Sequence, residues 1–188
     1  MPDKHTTPLE QTIGLVDAIC TANGLHYAVI GGIAATLYGS GRTTIDVDLI
    51  VQTDLSTLDR VYSVFTADFS PLKDNPLDFF RTYYVLPLIH KKLRVKVDVS
   101  AALSEFERKA LERSRRMQYG SQSAIFCSAE DLILFKLVAN RDRDRIDVKD
   151  IILRNREKLD VSYLRKTAQQ FDEVDRSDVF ENLKTLLG

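Results

Sequence analysis

The sequence predicts an α/β or α+β fold with a helical C-terminal part, on three observations. Strand-period apolar runs at residues 25–30, 46–51, 95–99 and 123–127 are interleaved with helix-period segments over the first two thirds of the chain. Beyond residue 128 the apolar residues recur at helical spacing, with no further strand-like run. The third observation is bulk: 188 residues with 44% apolar and 28% charged side chains suit one sizeable core and argue against disorder. Residues 1–127 are read as that core and 128–188 as a helical part packed on it, together one compact unit.

Each element follows from local chemistry. Thr7 is placed to cap a helix whose first turn holds Pro8, whose apolar face is Leu9, Ile13, Val16 and Cys20, and which Gly24 stops. Residues 25–30 read as a buried strand ended by Gly31 and Gly32, with a brief helix at 33–38 and a glycine-containing loop at 39–41. Residues 46–51 form a second strand, and a helix over 54–67 sets Leu55, Leu58, Val61, Tyr62 and Phe65 on one face. Pro71 and Pro76 mark loops, and 79–89 has the aromatic and branched content of strands. Val95, Val97 and Val99 alternate with Arg94, Lys96 and Asp98, the period of a half-buried strand. Ser104 and Glu107 fit a capping box opening a helix to about residue 116. After a last strand at 123–127, Ser128 and Asp131 start another helix, and two or three more fill 144–187.

Composition excludes several classes. With 26 basic and 27 acidic side chains the net charge is −1, so no overall field advertises nucleic acid or membrane, and any such surface is local. Cys20 and Cys127 lie in apolar stretches without CxxC spacing and read as buried, reduced thiols. His5, His26 and His90 are scattered, which leaves no zinc pattern. Asp3, Lys4 and Glu10 near the start argue against a secretory signal, and the weakly polar stretch at 27–39 is too short to cross a bilayer. The expected compartment is the cytosol.

Residues 29–51, VIGGIAATLYGSGRTTIDVDLIV, carry the chemistry. A buried strand ending in Gly31 and Gly32 and feeding a helix lets a ligand approach the backbone near free N–H groups, although a tight turn has the same sequence. It is neither a Rossmann nor a Walker fingerprint. Asp46 and Asp48, two apart on an apolar strand, point to one face, with Ile45, Val47, Leu49 and Val51 opposite. Paired carboxylates repel unless a cation lies between them, and Mg²⁺ prefers such oxygens; a solvent-facing edge strand is the alternative. Asp98, on another apolar strand, completes a two-metal site if its strand is adjacent, and is otherwise a surface acid beside Arg94 and Lys96.

Together these residues resemble the signature of the nucleotidyltransferase superfamily that includes DNA polymerase beta: strand, Gly-Gly or Gly-Ser, short helix, Asp-x-Asp, and a third acid on a later strand. Within it, Arg42-x-Thr44-x-Asp46-x-Asp48 looks most like the AbiEii-type toxins of toxin–antitoxin systems and the minimal nucleotidyltransferases. A second block at 130–151 resembles the same toxins, with Lys136 on a helix, the basic stretch at 141–145, then Asp147 and Asp150. The resemblance implies a mixed β-sheet core with flanking helices. It also implies a Mg²⁺-dependent enzyme, with two ions held by Asp46, Asp48 and Asp98. Gly31, Gly32, Arg42, Thr44 and Lys136 would bind the NTP, and Asp147 would orient Lys136 or an arginine. Lys136 reads equally as a lysine snorkelling at a helix edge, Asp147 as one of a surface set with Asp144 and Asp150, and 141–145 as a solvated, self-paired loop. Phe79 to Tyr84 offer either a stacking surface for a base or strand core.

The reaction implied is transfer of NMP from an NTP to an RNA 3′ end, with tRNA as the related toxins' acceptor, and with a cognate antitoxin as partner. A protein hydroxyl or a small molecule such as an aminoglycoside is the alternative acceptor, and a catalytically silent nucleotide-binding partner protein is the remaining one. Between Lys91 and Arg116 nine basic side chains face four acidic ones, a stretch that brackets Asp98 and is read as a basic rim for RNA.

Overall fold

A computed structural model describes residues 6–187; Asp3, Lys4 and His5 lie outside the described residues. Two compact units are formed, one from the described residues through Ile33 together with Thr44–Cys127, the other from Ala34–Thr43 and the residues from Ser128 onward.

The first unit holds a seven-stranded mixed sheet, so the predicted α/β class is the observed one. Its elements run α1 (Pro8–Ala22), β1 (Tyr27–Ile30), the start of α2 (Gly31–Leu37), β2 (Asp46–Gln52), α3 (Leu58–Phe65), β3 (Phe69–Pro71), α4 (Pro76–Tyr83), β4 (Val85–His90), β5 (Lys96–Ala102), α5 (Glu105–Arg113), β6 (Arg115–Tyr119) and β7 (Gln122–Phe126). The strand order is β3-β4-β5-β2-β1-β7-β6. β2 and β5 pair in parallel, as do β1 and β7, and the other neighbours are antiparallel. Leu49, Ile50 and Val51 are buried in succession, so β2 is covered on both faces, which explains its unbroken apolar run. Ile13, Val16 and Cys20 bury one face of α1, which packs against β7 and β2. Cys20 and Cys127 are free and buried, and burial pushes the Cys20 thiol up to about 12.

Local chemistry explains where elements start and stop. Thr7 accepts a bond from the Glu10 amide at the start of α1, and Ser104 with Glu107 closes both halves of a capping box on α5. The helix expected over 54–67 begins only at Leu58, because Asp54 accepts bonds from the Ser56 amide and hydroxyl and holds the chain in a turn. Leu55 is consequently 62% exposed rather than on the buried face. Residues 79–83, expected as strand, are the end of α4: Pro76 opens the helix, and Tyr84, in the left-handed region at φ 57°, closes it before β4. Start and stop signals override aromatic content there. Only Phe80 of that segment is buried, while Phe79 and Tyr83 pair their rings at 4.5 Å and Tyr83 is 62% exposed.

Three further expectations shift. The helix predicted to about residue 116 ends at Arg113, since Ser114 is extended and 115–119 pairs with β7 as the outer strand β6. The brief helix after β1 starts at Gly31 itself rather than at Ile33. Ile45 precedes β2 and is 74% exposed, so it takes no place on the strand's buried face.

In the second unit, α6 (Ala129–Ala139), α7 (Asp142–Asn155), α8 (Val161–Gln170), a 3-10 turn at Phe171–Val174 and α9 (Asp178–Leu187) pack on one another. Ser128 caps α6 through the Asp131 amide, and Asp160 caps α8 through that of Tyr163. Segment 38–43 belongs here: Asn155 donates to the Tyr38 carbonyl at 2.8 Å, and a Cβ on Gly39 would meet the Arg154 side chain at 2.1 Å. Residues 142–145, expected as loop, are the first turn of α7. Among the described residues no helix is long and apolar enough to cross a membrane.

Candidate active site

The strand period places Asp46 and Asp48 on one face of β2, with Val47 and Leu49 buried on the other. β5 runs parallel beside it in a register that pairs Asp48 with Asp98 and Asp46 with Lys96. Paired residues of neighbouring strands share a face about 4.8 Å apart, so a third carboxylate stands beside the Asp-x-Asp pair. All three acids are half-buried. Burial pushes the Asp98 carboxyl above its ordinary value, the charges of Asp48 and then Asp46 add to the rise, and Lys96 offsets part of it.

On the other side of β2, Ile30 of β1 pairs with Asp48, so Gly31 follows immediately. Gly31 has φ +69°, and a Cβ there would lie 2.0 Å from Asp48 Oδ2 and 2.8 Å from the Asp48 Cβ. Both the backbone angle and the approach of Asp48 therefore demand glycine. Gly32 is buried, and Thr44, half-buried, precedes Asp46 by two residues.

Three half-buried carboxylates on one face are the donor chemistry of a hard divalent cation, and the mutual repulsion that raises Asp98 is what such an ion would relieve. Asp46, Asp48 and Asp98 fit by donor chemistry and shared face, while among the described residues no group of three or more His, Cys, Asp or Glu side chains is gathered closely enough to hold a metal ion.

The second unit contains a separate polar cluster. Lys136, 4% exposed on α6, donates to Asp147 at 2.6 Å and to Asp144 at 3.3 Å, both carboxylates being 1% exposed. Asp147 also accepts from the Ser40 hydroxyl at 2.6 Å and from Arg42 Nη1 at 3.1 Å, and Asp144 accepts from Arg141. Burial alone would raise both carboxyls. Around Asp147 the bonds from Lys136 and Ser40 and the charges of Lys136 and Arg42 outweigh it, and around Asp144 Arg141 and Lys136 do, so both are held below the usual range. Lys136 is thus a buried counterion and not a lysine snorkelling at a helix edge, and Asp144 and Asp147 are not a surface set. Arg42 keeps 29% of its side chain exposed while one nitrogen is held by Asp147.

Ser40 and Asp144 are absent from the sequence reading of the site. The only local signal is the i,i+3 spacing of Asp144 and Asp147, which gives them one helix face but not its burial. The basic stretch around Asp98 is dispersed by the topology. Arg115 and Arg116 lie on β6, at the opposite edge of the sheet from β5, with β2, β1 and β7 between. Arg116 forks onto Asp17, Lys109 pairs with Glu105, and Lys91 donates to the carbonyls of Thr66 and Ala67. Of the cations near Asp98 in sequence, Arg115 and Arg116 therefore take no part in a rim around it, whereas Lys96 stands on the same strand, in register with Asp46.

A family model described as a nucleotidyltransferase of unknown function (DUF6036) matches residues 9–185. Among solved structures, an antigenic nucleotidyltransferase-like protein from Paracoccidioides brasiliensis is similar at TM-score 0.56 and 20% identity, over 94% of this chain and 92% of that one. The antibiotic-resistance factor ANT(2'')-Ia is similar at 0.58 and 12%, over 89% and 96%. The lincosamide antibiotic adenylyltransferase LnuA, solved with lincomycin, is similar at 0.52 and 13%, over 76% and 95%. These likenesses show the fold. No curated protein sequence matches the chain.

Proposed function

The chain belongs to the nucleotidyltransferase family of unknown function DUF6036, and from that premise we propose that it transfers NMP from an NTP to a hydroxyl acceptor at the acid face of β2 and β5. The observation that carries the reading is the register pairing Asp48 with Asp98 beside Asp46 and against Gly31. In the reaction a bond forms from the acceptor oxygen to the α-phosphorus, and the bond from that phosphorus to the pyrophosphate oxygen breaks. Asp46, Asp48 and Asp98 would hold Mg²⁺. When bound, the ions supply neutralisation of the phosphates and of the leaving pyrophosphate. Asp98, beside the Asp46–Asp48 pair, would take up the proton of the attacking hydroxyl. Gly31 and Gly32 let the phosphates approach the backbone, with Thr44 near the same strand. Arg42 offers the exposed part of its guanidinium to phosphate, while Asp147 holds the rest. Lys136 serves by fixing Asp147.

The AbiEii-like pattern of Arg42, Thr44, Asp46 and Asp48 supports a toxin-type enzyme of the cytosol with an RNA 3′ end, such as that of tRNA, as acceptor and an antitoxin as partner. A small-molecule hydroxyl is the second reading. It is favoured by the removal of Arg115 and Arg116 to β6, away from Asp98, and by two similar structures, one named a lincosamide antibiotic adenylyltransferase and the other an antibiotic-resistance factor. Incubation with Mg²⁺, each α-labelled NTP, and either total RNA or a panel of aminoglycosides and lincosamides tests both. Label on one acceptor, lost in Asp46→Asn and Asp48→Asn, supports nucleotidyl transfer and identifies its class; undiminished labelling by the double variant overturns the assignment.

A further inference from the structure

Within the second unit, the outer face of α7 meets the start of α8 and the end of α9 in an open groove of about 480 Å³. Leu153, 76% exposed, and Val161, 36% exposed, form its walls with the half-buried Leu186 and Leu187. Lys149 and Leu153 of α7 and its C-cap residue Arg156, still helical in backbone, stand at i, i+4 and i+7 and so rise on one stripe, and Arg165 stands one turn beyond Val161 on α8.

All three cations are exposed, and the described residues give none of them a hydrogen bond, a carboxylate partner or an aromatic ring. Elsewhere on the surface Arg81, Lys109, Arg116, Arg176 and Lys184 each pair with an acid. The groove's own lining contains no acidic residue. An apolar trough edged by positive charge alone is complementary to a rod that is apolar on one side and acidic on its flanks.

We infer that this groove docks an acidic amphipathic helix of a second protein. The stripe from Lys149 to Arg156 spans about 10 Å at the helical rise, room for two turns of a partner helix with apolar residues at i, i+3 or i+4 and i+7. The apolar floor gives the contact area, and Lys149, Arg156 and Arg165 select carboxylates at its edges. A nucleic acid would use the three charges but has no apolar stripe to set against Leu153 and Leu187. The site lies apart from the β2–β5 carboxylates in sequence and makes no use of them, so it stands whether or not the chain transfers nucleotides.

The test is fluorescence anisotropy of the full chain with two labelled synthetic 14-residue peptides of one composition. In one, Leu recurs at i, i+3, i+4 and i+7 with Glu flanking; in the other, Leu and Glu are rearranged so that no helical face is apolar. The patterned peptide binds at least tenfold more tightly. Its affinity falls at least tenfold with Lys149→Glu plus Arg165→Glu, and likewise with Leu153→Asp, whose exposed position keeps the fold, checked by an unchanged unfolding midpoint. Equal affinity for both peptides, or indifference to these variants, overturns the inference. Labelled oligoadenylate lost from the same variants in place of the peptide reassigns the groove to RNA and also overturns it. So does a concentration-dependent dimer, seen in sedimentation, that Leu153→Asp dissolves.

Discussion

Lys136→Met is the sharpest probe of the second unit. It removes an ammonium that is 4% exposed and leaves Asp144 and Asp147, each 1% exposed, with one buried partner fewer. Breaking a buried pair by deleting one charge costs about 3–5 kcal/mol. Asp147 retains Ser40 and Arg42, and Asp144 retains Arg141, which puts the loss near the lower end, at about 3 kcal/mol. In a chain of this size about 3 kcal/mol lowers the thermal midpoint by roughly 6–12 °C. The loss also depends on pH with a determined sign. Both carboxyls are held below their unfolded values, so their stabilisation is present above about pH 4 and is lost as pH falls through the folded values. The gap between wild type and variant should therefore narrow as the solution is acidified from pH 7 toward pH 3. Urea unfolding followed by circular dichroism across that range measures it, and the cycle completed by Asp147→Asn isolates the Lys136–Asp147 coupling, at about 1–3 kcal/mol. A loss below about 0.5 kcal/mol, with a raised KM for NTP, would refute the counterion role and return Lys136 to phosphate binding.

Two further outcomes concern the carboxylate face. Gly31→Ala forces a Cβ into Asp48 at a left-handed φ, so it should cost about 1–3 kcal/mol and also suppress transfer by displacing that carboxylate, read by unfolding midpoint and initial rate together. Asp98 has a raised folded value, so its contribution is present below the unfolded pKa and lost as pH rises through the folded one. Asp98→Asn should therefore unfold at a higher temperature than wild type at pH 7, lose that advantage below about pH 4, and abolish transfer. Added Mg²⁺ should raise the midpoint of wild type at pH 7 and not that of Asp46→Asn plus Asp48→Asn; an equal rise in both would detach the metal from these acids.

Short-range geometry was legible along the chain. The period of two placed Asp46 and Asp48 on one face, and Asp98 with its neighbours Val97 and Val99 on opposite ones. Hydroxyl and carboxyl groups three residues apart marked the starts of α5 and α6. Such signals involve atoms within one turn or one pleat, and they hold wherever the segment goes. Where two local signals competed, as at residues 76–84, proline and the left-handed Tyr84 outweighed aromatic content.

Which faces meet is set by long-range packing. That β5 pairs with β2, in the register that sets Asp98 beside Asp48, is a choice among strands separated by some fifty residues, and the same alternation fits an edge position equally well. Strand order likewise carried Arg115 and Arg116 to the opposite side of the sheet from Asp98, although they are near it in sequence. Burial of Lys136 with Asp144 and Asp147 follows from the packing of α6, α7 and segment 38–43, which no single segment encodes. A charge's environment is a property of everything folded around it, so its role as counterion or phosphate ligand is settled only when the non-local partners are in place.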